Sequence, residues 1–225
     1  MTKAQDTDPK HVQAVVQRVR SEVKMEGVEW PGGWPGEIEA AVIDAVFSIR
    51  ARYGSRTSGV RAVVARWRDH RNDGNLNDLG NLASFETDPD GILNILDNKQ
   101  KLYGGMLKAQ GCAVVAQRLL DKGVQTSGDI ADRAELRGAW NSVAGLGNVT
   151  WSYMLMLLGH QDVKADVMIQ RFVGLAFADH RIDTRVDSKL ARAVVIAAAG
   201  ELSSDGTLVE PTTLDHGIWQ HQRRR

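Results

Sequence analysis

A single cysteine, Cys112, in 225 residues excludes an internal disulfide and any cluster held by four cysteines of one chain. It sits in GCAVVAQRLL, a setting that suits a small buried hydrophobe. A net charge of zero removes the simplest signature of a protein that holds a polyanion. No stretch approaches about 18 uninterrupted apolar residues, and the polar start MTKAQDTDPK lacks the apolar core of a secretory signal. A cytoplasmic protein with no membrane partner is the expectation. Strand-like alternation and internal repeats are missing too. The histidines His11, His70, His160, His180, His216 and His221 make no i, i+4 pair and have no carboxylate at ligand spacing, so no metal and no cofactor is expected. Neither a nucleotide phosphate loop nor a Gly-X-Ser-X-Gly elbow occurs.

What is present describes a folded globular chain. Hydrophobic residues make up 43% and charged residues 25%, far from the composition of disorder. The length allows one domain or two small lobes; the chain is read as one compact helical unit over residues 1–225, a monomer. Charge is unevenly spread. Arg50, Arg52, Arg56, Arg61, Arg66, Arg68 and Arg71 stand against one acid, Asp69, and the chain ends Arg223, Arg224, Arg225, while acid gathers in DTD near the start and ETDPD at 86–90. A neutral protein so arranged can still present one basic face.

Helical spacing recurs throughout. A helix around 9–25 leads into the loop VEWPGGWPG, which together form an N-terminal element over residues 1–34. Trp30 and Trp34 in that loop could stack on unpaired bases, although Trp beside Pro and Gly more often folds a loop onto a core. Pro35 suits a first helical turn, and Ile38, Val42, Ala45, Ile49 and Tyr53 follow at spacings of three or four until Gly54. Val60, Val63, Val64 and Trp67 make a second stripe, with Arg61 and Arg68 on another side. Further helices are expected from about Leu102 or Met106 to Lys122 with Gly123 as the stop, over Ser127–Val143 and Val149–Leu158, at roughly 167–180 and 185–199, and from Pro211 toward Trp219. Residues 73–103 are the least regular. The fold class is all-α.

Residues 134–159 read AELRGAWNSVAGLGNVTWSYMLMLLG: an amphipathic helix, a tight Gly145–Leu146–Gly147 turn, and an apolar helix. Glycines let the backbone turn sharply and approach a ligand, and free amides at the start of the next helix attract a phosphate oxygen. A plain connection between packed helices would look the same. The continuation adds information, since Asp166 lies nineteen residues after Gly147 and directly before a helix whose Ile169, Phe172 and Ala176 face a core. An aspartate there can cap the helix amides.

Val143–Ala144–Gly145–Leu146–Gly147–Asn148–Val149–Thr150, followed after Gly159 by Val163–Lys164–Ala165–Asp166 and Arg171, resembles the helix-hairpin-helix/aspartate signature of the base-excision DNA glycosylase superfamily (HhH-GPD). A weaker likeness runs upstream through Ala41–Trp67 and Lys108–Asp129. The resemblance implies two helical lobes, double-stranded DNA held across a cleft, and a damaged nucleotide flipped out of the stack. Asp166 matches the family's catalytic aspartate, which stabilises positive charge on the sugar. Gly145, Leu146, Gly147, Asn148, Val149 and Thr150 match the phosphate clamp; Arg50 and Arg52 are the nearest candidates for the loop that enters the minor groove, a solvated basic face being the other reading, and Lys164 and Arg171 are candidates for phosphate contacts or ordinary surface charges. Val149 stands where strand-cutting members carry a lysine, so no imine can form and base release without strand cleavage is implied. Ala144 replaces the hairpin's usual proline, and the lone cysteine excludes the iron–sulfur cluster of some branches. Two other readings stay open: a non-catalytic DNA-binding module, and a helical fold turned to a protein partner.

Overall fold

The computed structural model describes residues 7–51, 54–72, 74–203 and 208–224. Among the described residues there are eleven α-helices and no strand. They fall into two compact units, one formed by the chain up to Pro31 together with Gln161 onward, the other by Gly32–His160. No helix of the described residues is long and apolar enough to cross a membrane.

The continuous unit is built around α2 (Ile38–Phe47), all ten of whose residues are buried. It packs against α3 (Gly59–Arg71), α4 (Leu79–Ala83), α6 (Lys108–Leu120) and α8 (Asn148–Leu157). Two carboxylates inside such a helix need partners. Glu39 receives Trp67 Nε1 at 2.8 Å, the Asp78 amide at 3.1 Å and Asn81 Nδ2 at 3.3 Å, with Arg71 Nε at 3.3 Å. Burial nevertheless pushes its pKa up. Asp44 accepts Trp34 Nε1 at 2.9 Å. At the far end of α2, buried Lys108 donates to the carbonyls of Phe47 (3.2 Å) and Ile49 (2.5 Å) and to Gln100 Oε1 (2.8 Å). These are the carbonyls that a helix leaves unpaired at its C-terminus.

The expected helix from Pro35 to Tyr53 is shorter at both ends. Pro35 lies in a turn with Gly36 at φ +76°, and Ile38 is the first helical residue. The Lys108 cap closes the helix at Phe47, and Arg50 turns left-handed at φ +51°; Tyr53 lies outside the described residues. Helix α3 has the expected buried stripe of Val60, Val63, Val64 and Trp67. Three of its arginines do not make a solvated basic face. Arg66 donates to the Leu96 carbonyl at 2.7 Å, Arg68 pairs with Glu37 and lies over the Trp34 ring, and Arg71 reaches Glu39.

The segment 73–103 holds two helices, α4 and α5 (Pro89–Leu96). Asp78 and Asp88 cap them, accepting the Gly80 and Gly91 amides at 2.9 Å each, and Pro89 occupies the first turn of α5. Residues 102–107 are a tight loop ahead of α6, closed by Leu102 N–H to the Met106 carbonyl at 2.8 Å. The stretch expected as one helix over 127–143 splits into a 3₁₀ turn at Ser127–Asp129 and α7 (Ala134–Asn141).

The discontinuous unit joins α1 (Pro9–Glu22) to α9 (Val167–Asp179), α10 (Ser188–Leu202) and α11 (Pro211–Arg223). Val12, Val15, Val16 and Val19 pack on a core with Phe172, Phe177, Val194 and Leu214. Arg18 is buried among them because both ends of its charge are met: it pairs with Glu22 at 3.0 Å and with Asp179, and lies over Phe172.

Candidate functional site

The hairpin turn is dictated by Gly145. Its φ is +95°, and a β-carbon there would lie 2.8 Å from the Tyr103 amide nitrogen and 2.9 Å from Leu102 Cβ. Gly147 is different in kind. It is extended at φ −167°, caps α8, and has open space where a side chain would go. Thr150 Oγ1 locks the turn: it accepts the Gly147 amide at 3.0 Å, donates to the Gly147 carbonyl at 2.8 Å, and accepts Trp140 Nε1 at 2.9 Å. Trp140 in turn packs edge-on against Trp151, tying α7 to α8.

Of the amides expected to clamp phosphate, two are already used. Leu146 N–H goes to the Val143 carbonyl at 3.0 Å and Gly147 N–H to Thr150, and the Leu146 side chain is buried. The amides of Asn148 and Val149 open α8 with no acceptor among the described residues, and Asn148 is exposed. An unpaired helix start of this kind attracts an anion.

The loop that abuts Gly145 contributes a residue that sequence reasoning missed. Tyr103 is 83% exposed, an unusual state for a ring of that size. Glycines Gly104 and Gly105, at φ +96° and +92°, carry the loop past the hairpin, with Gly104 beside Ala144. The signal available was Leu-Tyr-Gly-Gly ahead of a helix, which reads equally as a helix start. On the same unit, exposed Arg50 borders a cavity of 310 Å³ with Phe47, Val60, Val63, Asn98 and Gln100 on its walls. Arg52 lies outside the described residues.

The remaining expected residues belong to the discontinuous unit. Asp166 caps α9: its Oδ1 accepts the amides of Met168 at 2.8 Å and Ile169 at 3.3 Å. Its second oxygen accepts no hydrogen bond among the described residues, and the side chain is half-buried. Capping thus occupies one oxygen and leaves the other. Val167, next in the chain, is exposed. Lys164 lies half-buried in the extended segment before α9, and Arg171 is exposed on that helix. The structure therefore brings the hairpin residues together with Tyr103 on one unit, and Lys164, Asp166 and Arg171 on the other. Among the described residues no three His, Cys, Asp or Glu side chains are grouped to hold a metal ion.

An all-helical protein of two units, one bearing a tight glycine-turned hairpin and the other an aspartate-capped helix, is the class these features define. The model of a family described as a domain of unknown function, DUF8548, matches residues 10–223, and the chain belongs to that family. No curated protein and no solved structure matches it.

Proposed function

We propose that this protein binds double-stranded DNA through the hairpin and acts as a monofunctional DNA glycosylase of the helix-hairpin-helix type. The observation that carries the reading is the pairing of two unmet amides at the start of α8 with a solvent-exposed tyrosine on the loop abutting the same turn. Amides of this kind take a phosphate oxygen without reading sequence. An aromatic ring alongside supplies a face for a base.

Asp166 supplies the chemistry in this reading. Breaking an N-glycosidic bond develops positive charge on the sugar, and a fixed carboxylate lowers that barrier electrostatically. Its cap bonds fix the carboxylate, and its second oxygen is left to face the sugar or orient water. Water then attacks the anomeric carbon and gives a proton to Asp166, while the base leaves with the bond's electron pair and takes up a proton from solvent. Val149 offers no amine at the hairpin, so water and not an enzyme nitrogen takes the anomeric carbon, the base is released, and the sugar stays in an uncut strand as an abasic site.

The test is a panel of duplexes, each carrying one altered or mismatched base. Free base should appear from at least one, and Asp166→Asn should abolish release while binding persists, since asparagine can still cap the helix. Binding should weaken with added salt, because phosphate contacts release counterions. Retained binding with no release across the panel would leave a DNA-binding module. No binding to any duplex at low salt would overturn both.

A further inference from the structure

The cavity beside Arg50 is walled by apolar Phe47, Val60 and Val63 and by polar Arg50, Asn98 and Gln100, and no carboxylate lines it. The hydrogen bonds around it sort its polar atoms into used and unused. Lys108 Nζ lies 2.8 Å from the side-chain oxygen of Gln100, and an ammonium can only donate, so the oxygen is the end it meets. The Gln100 backbone amide lies 2.9 Å from Asn98 Oδ1 and fixes that side chain in the same way. Both amide oxygens are thus engaged, while both NH2 groups lack an acceptor among the described residues. The Arg50 guanidinium is exposed and has no acceptor among the described residues either. Every side-chain polar atom left over in these walls is a donor.

The surroundings carry the same sign. Two helix C-termini end at the cavity, those of α2 and α5, and exposed carbonyls at such ends repel an anion. Each end is covered by a cation. Lys108 donates to the Phe47 and Ile49 carbonyls at 3.2 and 2.5 Å, and Arg66 to the Leu96 and Asp97 carbonyls at 2.7 and 3.5 Å. The Lys108 ammonium is buried, touches the cavity residues Phe47 and Gln100, and is met only by neutral oxygens among the described residues. Its charge is therefore hydrogen-bonded but not neutralised.

We propose that this cavity binds a compact organic acid, its carboxylate on Arg50 and the amides of Asn98 and Gln100, its apolar body on Phe47, Val60 and Val63. A guanidinium takes a carboxylate through paired N–H groups, and two further NH2 donors suit its remaining lone pairs. The apolar walls decide between kinds of anion. A phosphate, free or in a duplex backbone, would meet the donors and leave Phe47, Val60 and Val63 with nothing to cover. A neutral apolar molecule would leave the donors unmet. At 310 Å³ the space is at the small end of ligand pockets, which limits the acid to a compact one. The turn that bears Asn98 and Gln100 is held by Arg66, Lys108 and its own Asn98 bond, so the donors are in place before the ligand arrives. The proposal does not rest on the reading of the hairpin and Asp166.

The experiment is NMR on the whole chain labelled with nitrogen-15, following the side-chain NH2 signals of Asn98 and Gln100, which are assigned by their loss in Asn98→Asp and Gln100→Glu. The probes are benzoate and hexanoate, with benzamide, inorganic phosphate and a short DNA duplex beside them. At least one acid should move both signals saturably, and benzamide and phosphate should bind far more weakly. Arg50→Gln should lower the acid's affinity by roughly ten- to a hundredfold, the worth of a hydrogen bond to a charged group. Asn98→Asp, which places a carboxylate among the donors, should abolish binding. Should Asn98→Asp fail to fold, Arg50→Gln decides alone, because an exposed side chain without a partner can be replaced without disturbing the fold. Neither acid binding would overturn the proposal, as would an affinity unchanged in Arg50→Gln. Phosphate binding as tightly as the acids would reduce the site to a patch of cations and overturn it too. Signals moved by the duplex and by neither acid would assign the cavity to a DNA surface instead.

Discussion

The two glycines of the hairpin should respond in opposite ways to the same substitution. At Gly145 a serine meets a left-handed backbone at φ +95° and a β-carbon position 2.8 Å from the Tyr103 nitrogen. The first costs about 1–2 kcal/mol for a residue with a β-carbon, and forcing an atom into packed surroundings costs about 1–3 kcal/mol more. Gly145→Ser should therefore destabilise by about 2–5 kcal/mol. At Gly147 the backbone is extended and the space beyond it is open, and the position is a helix cap, where serine is preferred over glycine. Gly147→Ser should be neutral or stabilising by a few tenths of a kcal/mol. Urea unfolding followed by tryptophan fluorescence reads the right region, because Trp34, Trp67, Trp140 and Trp151, four of the six tryptophans, belong to the hairpin's unit. The midpoint should fall for Gly145→Ser with the slope unchanged. Equal losses for the two variants would refute the argument, since the turn would then be indifferent to which glycine carries the strain.

Tyr103→Ala should leave stability within about 0.5 kcal/mol, the ring being exposed, yet weaken duplex binding by about 1–3 kcal/mol if the ring stacks on a base; fluorescence anisotropy measures the second and thermal unfolding the first. Glu39→Ala would strand the Trp67, Asp78 and Asn81 donors and the Arg71 charge, so a loss of about 3–5 kcal/mol is expected, readable in urea. Lys108 titrates at about 8 rather than 10.5 because of burial. Its folded-state pKa is depressed, so the stability it contributes is present above the unfolded value and lost as pH falls through about 8. Relative to Lys108→Met, which does not titrate, the wild type should gain unfolding free energy as pH is raised from 8 toward 10.5. A flat difference between the two would show that the amine's three acceptors offset its burial.

Periodicity made the core helices legible, because a stripe such as Val60, Val63, Val64 and Trp67 has one energetically sensible orientation. It said less about helix ends. The run toward Tyr53 kept its spacing after the helix had stopped, because Lys108, more than fifty residues away, caps the carbonyls that end it. The helices of residues 73–103 were written in local chemistry, as Asp78 and Asp88 caps and Pro89 in a first turn, but their helices are too short for periodicity to show. The arginines of α3 misled for another reason: their partners, the Leu96 carbonyl, Glu37 and Glu39, lie outside the helix. Gly145 and the Asp166 cap could be read directly. Tyr103 could not, since exposure is a property of the folded chain.

The discontinuous unit has a consequence for how the chain is made. Helix α1 leaves the ribosome early, while its partners α9 and α10 begin at Val167 and Ser188. At about 5–20 residues per second the valine face of α1 waits for roughly ten to thirty seconds, during which the whole of Gly32–His160 emerges and can fold as a unit. A growing chain thus carries an unpaired apolar helix tethered to a finished body, and it is in that interval that a holdase, or a second nascent chain, would find it.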